Sequence, residues 1–315
     1  MLSQLHAPAT GAVLRRSHAR RPCCAVRAAA PPAVQRSFHA LSDGVKLELL
    51  RSSPLASTAR PALLFVHGSY HGAWCWAEHW LPHFASLGYE AVALSLRGHG
   101  GSDAPAQQGA VAGTLSSHAA DVLDVAATLG PVVVVGHSFG GLVCQQALCQ
   151  PRPGVQLSGV ALLCSVPPEG NGGIAGRMLR STPLQALRVT WAFISRGFET
   201  DLALCRDTFF SAALDEADLM RHQAAMRSNG KTRMLDLRAL SNDLPVPRPA
   251  WKVPMFVMGA ELDAVVDAQG VRDAAQWAGV SPICVPRCGH DVMLDAGWRD
   301  AAEELHKWLD TAVAQ

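Results

Sequence analysis

Apolar residues fall in short blocks separated by polar and glycine-bearing stretches. Ala62-Leu63-Leu64-Phe65-Val66, Val132-Val133-Val134-Val135, Val160-Ala161-Leu162-Leu163-Cys164 and Met255-Phe256-Val257-Met258 run without a polar interruption. Blocks this short and this apolar predict strands buried on both faces, as in a parallel sheet flanked by helices. Val45-Lys46-Leu47-Glu48-Leu49-Leu50 alternates instead, and predicts an entry strand with one wet face. Further strands are expected over Glu90–Leu96 and Ile283–Val285. Helical spacing covers Trp74–Leu87, Ser117–Leu129, Gly140–Leu148 and Trp298–Val313. The second of these halts at Gly130-Pro131, a strong stop signal.

Residues 169–251 break the pattern. They follow Pro167-Pro168, open on Gly170-Asn171-Gly172-Gly173, and carry amphipathic segments at Pro183–Ile194 and Asp215–Ser228. Leu244-Pro245-Val246-Pro247-Arg248-Pro249 then forms a stiff return. A helical insertion over 169–251 is expected, dividing a core made of 43–168 and 252–315. Its apolar positions, among them Met178, Leu184, Leu187, Trp191, Phe193, Phe209 and Phe210, suggest as a group an apolar binding cleft.

Composition sharpens this outline at the N-terminus. The chain has 315 residues, 49% apolar and 17% charged, with a net charge of +1. Six of its 27 cations and none of its 26 acids lie in residues 1–42, so the remainder carries −5. An arginine-rich, acid-free, Ala/Ser-bearing leader describes an organelle transit peptide, disordered and removed on import into a chloroplast. Mitochondrial import and a retained basic tail are the alternatives. The mildly acidic body gives no reason to expect nucleic-acid binding. No stretch reaches the roughly 18 apolar residues of a transmembrane segment. Nine cysteines are present without a Cys-x-x-Cys pair, which argues against structural zinc and against a disulfide framework.

The densest chemistry lies at Gly136-His137-Ser138-Phe139-Gly140, between the valine strand and a helix. A Gly-x-Ser-x-Gly in that setting is a nucleophile elbow, a turn so tight that small residues must flank the serine. Met255–Gly259 is followed by Ala260-Glu261-Leu262-Asp263, and Ile283-Cys284-Val285 by Cys288-Gly289-His290-Asp291. Asp263 is favoured as the acid over Asp267 because it follows its strand by one short loop. His137 is expected to pack, His67 to brace a loop through hydrogen bonds, and His71 to border the pocket.

These segments resemble the α/β-hydrolase superfamily from about Val45 onward. Leu96-Arg97-Gly98-His99-Gly100-Gly101-Ser102 is similar to its Gly-x-Gly-x-Ser loop. His67-Gly68-Ser69-Tyr70-His71-Gly72-Ala73-Trp74-Cys75-Trp76 resembles the oxyanion segment of plant methylesterases and hydroxynitrile lyases, and of hydrolases labelled lysophospholipase-like. The resemblance implies a mostly parallel sheet with a helical cap inserted after the sixth strand. It implies Ser138 as nucleophile, His290 as base and Asp263 as its orienting acid, with the main-chain N–H groups of Ser69 and Phe139 as oxyanion hole. Tyr70, His71, Trp191 and Phe210 are candidate substrate contacts. The implied activity is hydrolysis of a carboxylic ester of an apolar small molecule, lipid or isoprenoid in type. No metal or organic cofactor is needed for that chemistry. A methylesterase acting on a bulky acid, a hydroxynitrile lyase and a small-ligand receptor remain alternatives on the same scaffold.

Overall fold

The structure, a computed structural model, describes residues 32–56, 58–104, 111–150, 152–229, 232–248 and 253–313. Eight strands build one sheet: β1 (Gln35–Ala40), β2 (Lys46–Ser52), β3 (Ala62–Val66), β4 (Ala91–Leu94), β5 (Pro131–His137), β6 (Gln156–Leu163), β7 (Met255–Ala260) and β8 (Ile283–Val285). Their spatial order is β1-β2-β4-β3-β5-β6-β7-β8. The pairs β1–β2 and β2–β4 are antiparallel and the rest parallel.

The valine run shows why the central strands are apolar throughout. Val132 and Val134 pack into one core with Leu64, Val66 and Leu162. Val133 and Val135 point the other way, into a second core with Phe65, Trp76, Trp80 and Phe84. Both faces of the sheet are therefore dry, and alternation disappears from the sequence. Each fully buried Val, Leu or Phe side chain contributes about 1.5–3 kcal/mol.

Several boundaries differ from expectation. The helix expected from Ser117 starts at Leu115, because Thr114 caps it and exchanges hydrogen bonds with Ser117 in a capping box. The Trp74–Leu87 segment divides into helices Trp74–Ala77 and Trp80–Ser86. The reading of residues 1–42 as a disordered leader fails over Gln35–Ala40, which form β1 and pair along β2. Arg36, grouped with the leader by charge, is anchored there, its Nε 2.7 Å from Glu48. Residues 1–31 lie outside the described residues.

Between β6 and β7 the insertion forms helices Gly172–Ser181, Pro183–Ser195, Leu202–Phe209, Glu216–Ser228 and Leu237–Asp243. It is not wholly helical. Arg233–Leu235 is a short strand paired in parallel with Val111–Gly113 of the core segment. Arg177 adds a second attachment, its Nε and Nη2 donating to Asp267 at 2.7 and 2.8 Å.

Candidate active site

Ser138 stands where β5 ends and the helix Phe139–Ala147 begins, with φ 55° and ψ −123°. A serine rarely adopts positive φ, so the surrounding structure must hold it. Ser138 N–H donates to Leu163 O at 3.1 Å, and Ser138 O accepts from Gly141 at 3.0 Å and Val166 at 3.1 Å. The flanking glycines allow this approach. A Cβ on Gly136 would lie 2.6 Å from Cys144 Sγ, and one on Gly140 would overlap the carbonyl oxygens of Val66 and His67.

Asp263 follows β7 and His290 follows β8, so two neighbouring parallel strands deliver them to one end of the sheet. His290 Nδ1 lies 3.0 and 2.9 Å from the two Asp263 oxygens. Asp263 Oδ1 also accepts from Val265 N–H at 2.7 Å and Val266 N–H at 2.9 Å. Nδ1 donates to the carboxylate, which leaves Nε2 free for proton exchange. Burial alone would lower the His290 pKa, but Asp263 outweighs it and holds the value above the ordinary 6.5. Asp267 is elsewhere: it caps the helix Ala268–Ala278 and binds Arg177.

The loop after β3 is pinned by its histidines. His67 Nδ1 donates to Gly68 O at 2.7 Å, and Nε2 accepts from Leu96 N–H at 2.9 Å. That pattern needs a neutral ring, and burial pushes its pKa well below 6.5. His71 Nδ1 contacts Ser69 O at 2.8 Å, and Nε2 contacts Asp291 Oδ2 at 2.9 Å. The ring thus spans a carbonyl oxygen of its own loop and the buried Asp291 carboxylate. Burial would raise the Asp291 carboxyl, but His71, with His137 and His290, holds it below 3.8. Asn229 ties this loop to the cap, donating to His71 O at 2.6 Å and accepting from Gly100 N–H at 2.8 Å. His137 donates from Nε2 to His290 O at 2.9 Å, and burial drives its pKa to about 3.

Ser138 and His290 border one chamber of about 230 Å³, with Ser69, His71, Phe139 and Phe193 among its walls. Ser69, Tyr70, Phe139 and Phe193 also wall an adjoining chamber of about 460 Å³, lined in addition by Ile194, Arg196 and Arg233. Two candidate contacts are misplaced by the sequence reading. Trp191 is 64% exposed, on the outer side of its helix. Phe210 is buried but stacks on His222 at 5.6 Å, outside both chambers. Phe193 and Phe209 take those places, because helix phase turns them inward. Asp291, Asn229, Asn171 and Val265 were not singled out from sequence. For Asp291 the signal was its place directly after His290.

Among the described residues, two groups of metal-ligand atoms lie within 4.8 Å of one another, His137 with His290 and Asp291, and Cys164 with Asp263 and His290. Burial raises the Cys164 thiol well above its ordinary value, which disfavours the thiolate a metal requires. His290 Nδ1 is already committed to the Asp263 carboxylate, and Asp263 Oδ1 also accepts from the N–H groups of Val265 and Val266.

Comparison with known proteins agrees with this architecture. Residues 63–304 match the model of the alpha/beta hydrolase family. Esterase PIR7B of Oryza sativa subsp. japonica is 35% identical over 92 residues, 28% of this chain and 33% of that protein. Epoxide hydrolase 4 of Mus musculus is 39% identical over 96 residues, 30% of this chain and 26% of that one. The chain thus aligns with about a third or less of these relatives' length. Among solved structures, the esterase RhEst1 from Rhodococcus sp. ECU1013 superposes with a TM-score of 0.60 at 19% identity, covering 89% of this chain and 99% of that one. A soluble variant of monoglyceride lipase from Saccharomyces cerevisiae gives 0.61 at 17% identity, covering 90% and 95%. At these identities the likeness is one of fold.

Proposed function

The chain belongs to the alpha/beta hydrolase family, and we propose that it hydrolyses a carboxylic ester with an apolar group through an acyl-enzyme on Ser138. The observation that carries this reading is Ser138 held at φ 55° in a chamber that also contains His290, itself hydrogen-bonded to Asp263. His290 Nε2 takes the proton as Ser138 Oγ attacks the carbonyl carbon, then returns it to the departing alkoxide. Asp263 fixes the ring and stabilises the imidazolium. The N–H groups of Ser69 and Phe139 receive the negative charge that develops on the carbonyl oxygen. Water, activated by the same histidine, then releases the acid.

Epoxide hydrolases occur among the relatives, but a serine at the elbow favours esters. Attack of Ser138 on an epoxide would form an ether, which His290 and water have no means to cleave. An ester gives an acyl-serine, which water can attack. The walls Phe193, Phe209 and Val265 favour an apolar group beside the nucleophile. A fluorophosphonate probe should label Ser138, and Ser138→Ala should abolish labelling. The same substitution should lower turnover of a p-nitrophenyl ester by about 10⁴ or more. Labelling that survives Ser138→Ala, or more than a tenth of the original turnover, would sink the assignment.

A further inference from the structure

The helix Pro183–Ser195 is amphipathic the wrong way round. Its buried residues are Ala186, Val189 and Ala192, all small or medium in size. Phe193 turns in toward the chambers, but four other large apolar residues face outward: Leu184 is 83% exposed, Leu187 61%, Trp191 64% and Ile194 75%. Their spacing of three, four and three residues places them on one face. Leu179, on the preceding cap helix Gly172–Ser181, is also exposed. A helix in a protein surrounded by water buries its large side chains and turns its small ones outward. An exposed stripe of Leu, Trp and Ile marks a surface that meets another apolar phase.

The charges around the stripe identify that phase. From Gly170 to Phe198 the chain carries Arg177, Arg180, Arg188 and Arg196 and no acid. Arg177, Arg188 and Arg196 have acidic partners from outside that stretch, in Asp267, Asp207 and Glu199. Arg180 is exposed and makes no ion pair among the described residues. A two-fold contact between copies of this chain would bring the same arginines together from both sides. An apolar stripe with tryptophan, flanked only by cations on its own helices, instead suits the boundary between acyl chains and anionic headgroups. The stripe also borders the site. Ile194 lines the larger chamber, and its neighbour Phe193 lines both.

We propose that the cap helices Gly172–Ser181 and Pro183–Ser195 dock on an anionic lipid surface through Leu179, Leu184, Leu187, Trp191 and Ile194. The side chains enter the headgroup region to the depth of one helix face, and Arg180, the one of the four arginines with no acidic partner among the described residues, meets lipid phosphate. The docked cap brings Ile194, an exposed residue that also lines the larger chamber, to the membrane.

Flotation of the full chain with vesicles tests this without any turnover. With phosphatidylcholine and phosphatidylglycerol in roughly equal amounts, the chain should bind, and binding should weaken with salt and with phosphatidylcholine alone. The triple variant Leu184→Ser, Trp191→Ser, Ile194→Ser should lose at least about ten-fold in partition coefficient while keeping its melting temperature. Its basic N-terminal residues are unchanged, so equal binding by the variant would overturn the proposal. So would failure of the intact chain to bind, or a dimer in light scattering that the triple variant lacks. A second readout needs only a mild change: brominated lipid should quench the intact chain more than Trp191→Phe. Equal quenching would place Trp191 outside the bilayer and overturn the docking geometry.

Discussion

In the proposed mechanism His290 accepts a proton from Ser138 only while its ring is neutral, so turnover should follow its ionisation. Asp263 holds the His290 pKa above 6.5, so the acid limb of kcat/KM should have its midpoint above that value, with activity rising as pH rises. Asp263→Asn removes both the charge and the tautomer control. It should move the midpoint down and reduce kcat by about 10⁴. A pH profile of both proteins on a soluble ester checks this, and an unmoved midpoint would detach His290 from the mechanism. The positions of Ser138, Asp263 and His290 were legible because each follows an apolar strand directly or by one short loop, where chain order and spatial place coincide. Trp191 and Phe210 were not. Apolar residues mark a cap helix but not its rotation, and here the large residue at 191 faces out while Phe193 faces in.

Asp267 acts through its element. Its side chain accepts from Gly270 N–H at the start of the helix Ala268–Ala278 and receives Arg177 in a two-pronged contact. Loss of the cap in Asp267→Ala should cost about 0.5–2 kcal/mol. The partly exposed ion pair adds little to that. Urea unfolding should report this loss while kcat stays within a few-fold, in contrast to Asp263→Asn. The inner strands were readable because burial on both faces leaves uninterrupted apolar runs. Strand β1 was hidden for the opposite reason. Gln35, Arg36, Ser37 and His39 form an edge whose residues are mostly exposed, so no alternation marks it and its arginine resembled the leader's. The pairing of Val111–Gly113 with Arg233–Leu235 was equally hidden, since strands of three residues carry too few side chains to show a period.

At the scale of the molecule, β1 completes one side of the sheet and shields the β2 edge. A chain begun at Asp43 loses that pairing and the Arg36–Glu48 contact, and leaves unpaired main-chain groups on β2. It should melt several degrees lower than one begun at Pro32 and aggregate more readily, as thermal melts with light scattering would show. Equal melting would make β1 dispensable. The insertion has a longer reach. It separates β6 from β7, which pair side by side from Val160 to Leu163. In the order of synthesis, the elbow and six of the eight strands emerge first, then the whole cap, and only afterwards Asp263 and His290. If His290 is the base, as proposed, a nascent chain that ends short of residue 290 has its serine and nothing to activate it. Under that mechanism its hydroxyl stays unactivated toward an ester until the last strand has joined the sheet and His290 has followed it.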